Sequence, residues 1–149
     1  MASNMKCYAL RLKPGEDLRD ELLSFSKKHN LKAAFVLTCV GSLTRVTLRH
    51  ANATCDLHQP NELKTYNFGE CYEILSLVGT ISPDGPHLHI SLGDKHGNVI
   101  GGHLVGDAKI FTTAEIVLGE LEDVTFSRPV DNQTGFDELV VSPKSNENL

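Results

Sequence analysis

The sequence predicts an α+β domain with a mostly antiparallel β-sheet and one main helix near the N-terminus. Two observations predict it: one early segment has the periodicity of an amphipathic helix, and the remainder consists of short apolar runs separated by turn residues. A helix followed by many strands is typical of an α+β domain. The 149 residues suit a single domain over 1–149, with a core of about 6–128.

The first strand and the helix precede residue 31. Met5–Leu12 has apolar side chains at every second position, which predicts a strand. A Pro-Gly pair interrupts this pattern, and acidic residues begin a helix at Glu16, because carboxylates stabilise the positive end of the helix dipole. Three residues at helical spacing form its apolar face: Leu18, Leu22 and Phe25. The helix is expected to end at Asn30, a suitable C-terminal cap.

After the helix, strands are predicted in close succession. Leu31–Val40 is a nearly continuous apolar run, and Arg45–Ala51 alternates after the Gly41–Ser42 turn signal. The polar stretch Asn52–Glu62 predicts a surface loop. The other strand-like runs are Thr65–Phe68, Tyr72–Ile81, His87–Leu92, Val99–Leu104, Lys109–Leu118 and Asp123–Arg128. The final segment, about 142–149, is expected to be a flexible tail.

Composition and charge exclude several classes of function. The net charge of -5 disfavours a generic nucleic-acid-binding surface, so direct DNA binding is not expected. Apolar runs are too short to span a membrane, and the first residues lack the pattern of a secretory signal. The four cysteines show no C-x-x-C spacing, which predicts reduced thiols in the cytoplasm, with the nucleus as the alternative. Phosphate-binding glycine motifs and nucleophile elbows are absent.

Three histidines in the segment HLHISLGDKHGNVIGGHL form a candidate metal site. His87 and His89 are two residues apart on a predicted strand and therefore share a face. If 95–97 form a three-residue hairpin loop, His89 lies directly opposite His103, with His87 as its diagonal neighbour. Three such imidazoles can bind one zinc ion, leaving a position open for water or substrate. An even-length turn would instead place His103 on the other face, and the alternative interpretation is three solvated polar residues.

Other polar residues are weaker candidates. Glu73 and Glu115 each interrupt an apolar strand and are either outward solvated groups, structural hydrogen-bond acceptors or catalytic acids or bases with shifted pKa values. A second possible metal cluster consists of His50, Cys55 and His58, in polar sequence with no predicted framework.

The stretches YEILSLVGTIS, PHLHISLGDKHGNVIGGHLVG and TTAEIVL resemble the PPC (plants and prokaryotes conserved) domain over roughly Lys6–Phe126. This resemblance implies a homotrimer whose metal site matches His87, His89 and His103, with family glutamates matching Glu73 and Glu115. The architecture is also distantly similar to α-acetolactate decarboxylase, a metal enzyme with histidine ligands on strands. Fold alone does not transmit function.

The chain also departs from the plant members that it resembles. It lacks the R-G-R-P element of an AT-hook, and it keeps the histidine of the GGHLVG block, His103, which plant members replace. Two functions therefore follow from the sequence. The first is a homotrimer with a three-histidine zinc site that binds a small molecule or acts as a metal-dependent hydrolase or lyase of unassigned reaction. The alternative is a non-enzymatic oligomerisation or interaction module related to plant DNA-binding regulators.

Overall fold

The computed structural model describes residues 1–51 and 61–144. In chain order its elements are β1 (Met5–Leu12), α1 (Leu18–Lys28), β2 (Ala34–His50), β3 (Glu62–Ser82), β4 (Gly85–Gly93), β5 (Val99–Leu121), β6 (Val124–Ser127) and β7 (Val140–Pro143). Residues 52–60 of the predicted loop and 145–149 of the predicted tail lie outside the described residues, and the last residue of the predicted loop, Glu62, begins β3. The described residues contain one helix and antiparallel strands, which confirms the predicted α+β class.

Five strands form one sheet in the order β1-β5-β2-β3-β4, in which β4 also pairs with β5. The ring β5-β2-β3-β4 is thus closed by its own hydrogen bonds, which leaves β1 as an additional strand on β5. Every pairing is antiparallel. Closure depends on the length of β5, which has one segment beside β4 and another beside β1.

The first strand and the helix follow the predicted boundaries closely. β1 spans the predicted residues, and the Asp17 side chain caps α1 by accepting hydrogen bonds from the backbone amides of Arg19 (3.1 Å) and Asp20 (3.2 Å). The helix ends with His29 as its C-cap, and Asn30 follows with a left-handed φ of 53°. Leu18 and Leu22 are completely buried, so they attach the helix to the core.

The predicted short strands are continuous in the structure, which corrects the sequence interpretation. The Gly41–Ser42 pair lies inside β2, where the register shifts without interrupting the strand. A Cβ atom on Gly41 would lie 2.1 Å from the Thr113 carbonyl oxygen, so glycine permits a close approach of two strands. Bulges likewise allow β3 and β5 to continue through positions that resembled turns.

The C-terminal part contains a strand that the sequence pattern did not predict. β7 pairs with β6, with Val124 opposite Pro143 and Ser127 opposite Val140. The first two residues of the predicted tail, Ser142 and Pro143, lie in this strand. Cross-strand hydrogen bonds can specify a short strand without any strong local pattern.

Candidate metal centre

The β4–β5 hairpin has the loop that the sequence predicts. The amide of Asp94 donates to the carbonyl of Asn98 (2.9 Å), and Gly97 adopts a left-handed φ of 82°. The Asp94 carboxylate accepts hydrogen bonds from the amides of His96 and Asn98, both at 2.8 Å. This loop sets the register, and His89 lies opposite His103 as predicted.

The three predicted histidines converge in space. The possible ligand atoms of His87, His89 and His103 all lie within 4.8 Å of one another. The Nε2 atoms of His87 and His89 are 3.2 Å apart, and the His103 ring centroid lies 5.1 Å from that of His87 and 5.6 Å from that of His89. Because Zn–N bonds are about 2.0–2.1 Å long, the Nε2 atoms of His87 and His89 are close enough to share one ion, and the His103 ring adjoins both.

The surroundings of His87 and His103 favour the neutral imidazole, the form that binds metal ions. Burial lowers the pKa of His103 to about 4, and the positive charge of Arg49 contributes in the same direction. Burial also lowers the pKa of His87, with a further contribution from Arg128. These two imidazoles therefore need no deprotonation to bind a metal ion near neutral pH.

One buried nitrogen tests whether the residues fit a metal ion. Nδ1 of His103 is buried and has no hydrogen-bond partner among the described residues. A buried polar atom without a partner is costly, and coordination of an ion would remove that cost if Nδ1 is the ligand atom. The donor set, three imidazole nitrogens, is one that zinc commonly uses.

Strand pairing places an arginine beside the histidines. Arg49 on β2 lies opposite His103, which in turn lies opposite His89, so the three residues form one row across three strands. Directly opposed residues on neighbouring strands share a face of the sheet. Sequence reasoning missed Arg49, because its pairing with β5 joins residues more than fifty positions apart and has no local signal.

A cavity of about 460 Å³ adjoins the histidines. Its lining residues are Arg19, Arg49, Asn61, Asp84, Gly85, Pro86, His87, His103, Arg128, Phe136, Asp137 and Glu138. The volume lies within the usual range for small-molecule sites, about 300–1,000 Å³. The cavity thus provides space for a small ligand next to two of the three imidazoles.

The other candidate residues are not brought to this centre. Glu73 and Glu115 are both exposed, and neither lines the cavity beside the histidines. Glu73 pairs with Gly93, at the end of β4 that is distant from His87 and His89. A catalytic role for Glu73 or Glu115 stays a prediction. His50 Nε2 lies 2.9 Å from the Tyr66 hydroxyl, whereas its proposed partners at positions 55 and 58 lie outside the described residues.

The model of the Plants and Prokaryotes Conserved (PCC) domain matches residues 1–122. Among curated proteins, the chain is 44% identical over 140 residues to a Synechococcus bifunctional protein GlmU, with 94% of this chain and 21% of the relative covered. It is 30% identical over 126 residues to the AT-hook motif nuclear-localized protein 2 of Arabidopsis thaliana, covering 79% of this chain and 35% of that protein. The chain thus spans about a fifth to a third of these relatives.

Solved structures match nearly the whole chain. A hypothetical protein from Salmonella superposes with a TM-score of 0.88 at 36% identity, covering 97% of this chain and 99% of the other. The metal-containing protein AF0104 from Archaeoglobus fulgidus superposes with a TM-score of 0.77 at 27% identity, covering 94% and 99%.

Proposed function

The chain belongs to the Plants and Prokaryotes Conserved (PCC) domain family, and from this premise we propose that it is a homotrimeric zinc protein that binds a small molecule. The observation that carries the proposal is the convergence of three imidazoles beside a cavity of about 460 Å³. The description of the Archaeoglobus relative as metal-containing supports it. The net charge of -5 argues against direct DNA binding.

In this proposal His87, His89 and His103 hold the ion, and each residue contributes one nitrogen. Bound zinc would lower the pKa of a coordinated water or polarise a carbonyl oxygen. The protein keeps His87 and His103 neutral by burial and by the nearby Arg49 charge, so protons do not compete for these two nitrogens. We assign a binding role to this centre and no specific reaction. Neither Glu73 nor Glu115, the carboxylates that the sequence offers as catalytic candidates, lines its cavity.

The purified protein is expected to contain one zinc ion per chain. Elemental analysis should give a zinc stoichiometry near one, and chelator treatment followed by added zinc should restore it. Diffraction at the zinc absorption edge would then give an anomalous peak between the three imidazoles. A stoichiometry of zero that added zinc does not raise contradicts the proposed metal site.

The homotrimer is proposed from the family resemblance and from exposed apolar side chains of this chain. Large apolar side chains are exposed on the long strands β2, β3 and β5: Leu37, Val40, Leu75, Val78 and Phe111. Exposed apolar surface on strands is often covered by association. Sedimentation equilibrium at micromolar concentration should yield three times the chain mass of 16.3 kDa. A single-chain mass would contradict the trimer.

We propose a cytoplasmic location. Within the described residues, Cys7, Cys39 and Cys71 are free thiols, as expected in a reducing compartment. Burial raises the pKa of the Cys39 thiol to about 12, so this cysteine behaves as an apolar core residue. No helix in the described residues is long and apolar enough to cross a membrane.

The alternative, an interaction module without a ligand, has one supporting observation. The similarity to an Arabidopsis nuclear-localized protein extends over 79% of this chain. An interaction module has no need of three converging imidazoles, so zinc analysis distinguishes the two functions.

A further inference from the structure

Several charged side chains line the cavity beside the histidines. Three arginines line it, Arg19, Arg49 and Arg128, together with two of the imidazoles. An arginine in a small cavity presents a planar fork of N–H donors, which matches the two oxygens of a carboxylate or a phosphate. The nature of the ligand therefore depends on whether protein carboxylates already occupy these donors.

Two of these guanidinium groups have no carboxylate partner among the described residues. The ion pairs in that part of the chain include Arg19, which lies 3.8 Å from Asp20, but neither Arg49 nor Arg128. Arg128 instead donates to neutral oxygens, the Thr80 hydroxyl at 3.0 Å and the Asp137 carbonyl at 3.1 Å. Its Nε atom is buried and has no described partner. These bonds hold the Arg128 side chain in position without neutralising its charge.

Carboxylates also line the cavity, and two of them have other hydrogen-bond donors. Asp84 accepts a hydrogen bond from the backbone amide of Arg128 at 2.8 Å, and Glu138 accepts one from the Thr134 hydroxyl at 3.0 Å. Their negative charge disfavours a ligand with several anionic groups. The cavity is therefore suited to a ligand with one oxyanion group and an otherwise neutral body.

We propose that this cavity binds a small metabolite through a single carboxylate or phosphate group, held by Arg49 and Arg128 beside the three histidines. The inference rests on the proposed function, since it identifies the ligand class for the same centre. The position of Arg49 opposite His103 places the anion site next to the imidazoles. A ligand held there by its anionic end would present its neutral end to the rest of the cavity.

The test uses the full chain freed of metal, so that it does not depend on zinc. Inorganic phosphate and lactate are titrated separately at constant ionic strength, and backbone amide shifts are followed by NMR. At least one anion should bind saturably, with a dissociation constant of about 1–10 mM, and shift the amides of Gly85 and Arg128. Comparison of the two titrations identifies the preferred oxyanion. If neither binds, the inference is wrong even where zinc binding is intact.

Variants then locate the anion. Arg49→Gln should weaken binding about tenfold or more, while Arg49→Lys, which keeps the charge but loses the planar fork, should weaken it less. Arg45→Gln is the matched control, because it removes the same charge from the same strand outside the cavity. Equal weakening by Arg45→Gln and Arg49→Gln would indicate a nonspecific charge effect and overturn the inference. Failure of zinc to bind while the anion still binds would contradict only the proposed metal site.

Discussion

Replacement of His103 by Ala is expected to reduce zinc affinity by more than about 100-fold, because loss of a direct ligand should cost more than loss of an outer hydrogen-bond partner. His103 lies on β5, whereas His87 and His89 leave the same face of β4. Two imidazoles would remain, which is fewer than catalytic or structural zinc sites normally use. Competition with a chromophoric chelator measures the change directly.

His96→Ala provides the matched control for this experiment. His96 lies on the same hairpin but is exposed in its loop and is not part of the histidine cluster. Its removal should leave zinc affinity unchanged, and both variants should keep the wild-type circular dichroism spectrum. Equal zinc affinity in the His103→Ala variant and the wild type would rule out the three-histidine site.

Gly79→Ala is expected to cost about 3 kcal/mol or more in the free energy of unfolding, from steric overlap and backbone strain together. A Cβ atom at this position would lie 2.0 Å from the carbonyl oxygen of His87, and Gly79 has a φ of 139°. For a domain of this length, such a loss lowers Tm by about 6–12 °C. Because β4 must move to relieve the overlap, zinc affinity should fall as well.

Gly85→Ala separates the overlap from the backbone strain. Gly85 has a nearly identical φ of 142°, yet nothing lies within 4 Å of an added Cβ atom. Its substitution should therefore cost only about 1 kcal/mol of conformational strain. Thermal unfolding of both variants measures the difference. If Gly79→Ala is as stable as Gly85→Ala, the close approach of β3 to β4 is not required for stability.

The histidine cluster could be predicted because its geometry is local. A three-residue loop with Gly97 in the left-handed region determines which residues face each other across the hairpin, and the loop residues are adjacent in sequence. The helix was predictable for the same reason, since Asp17 caps it and its apolar residues recur with helical spacing.

The continuity of the long strands could not be predicted in the same way. The Gly41–Ser42 pair resembles a turn when only neighbours in sequence are considered. In the structure Gly41 lies inside β2, where the absence of a side chain admits the Thr113 carbonyl of β5. The pairing of β6 with β7 likewise depends on contacts between distant segments. Nonlocal contacts of this kind override local turn propensity.

The amino-acid sequence by itself determined the fold class, the helix and the hairpin that joins His89 to His103, because each depends on residues close together in the chain. Only the tertiary structure decided what surrounds the three histidines. Arg49 reaches them through the pairing of β2 with β5, and Arg128 lines the same cavity from the segment after β6. Side chains distant in sequence become neighbours when the sheet closes, so the charge of the cavity follows from topology.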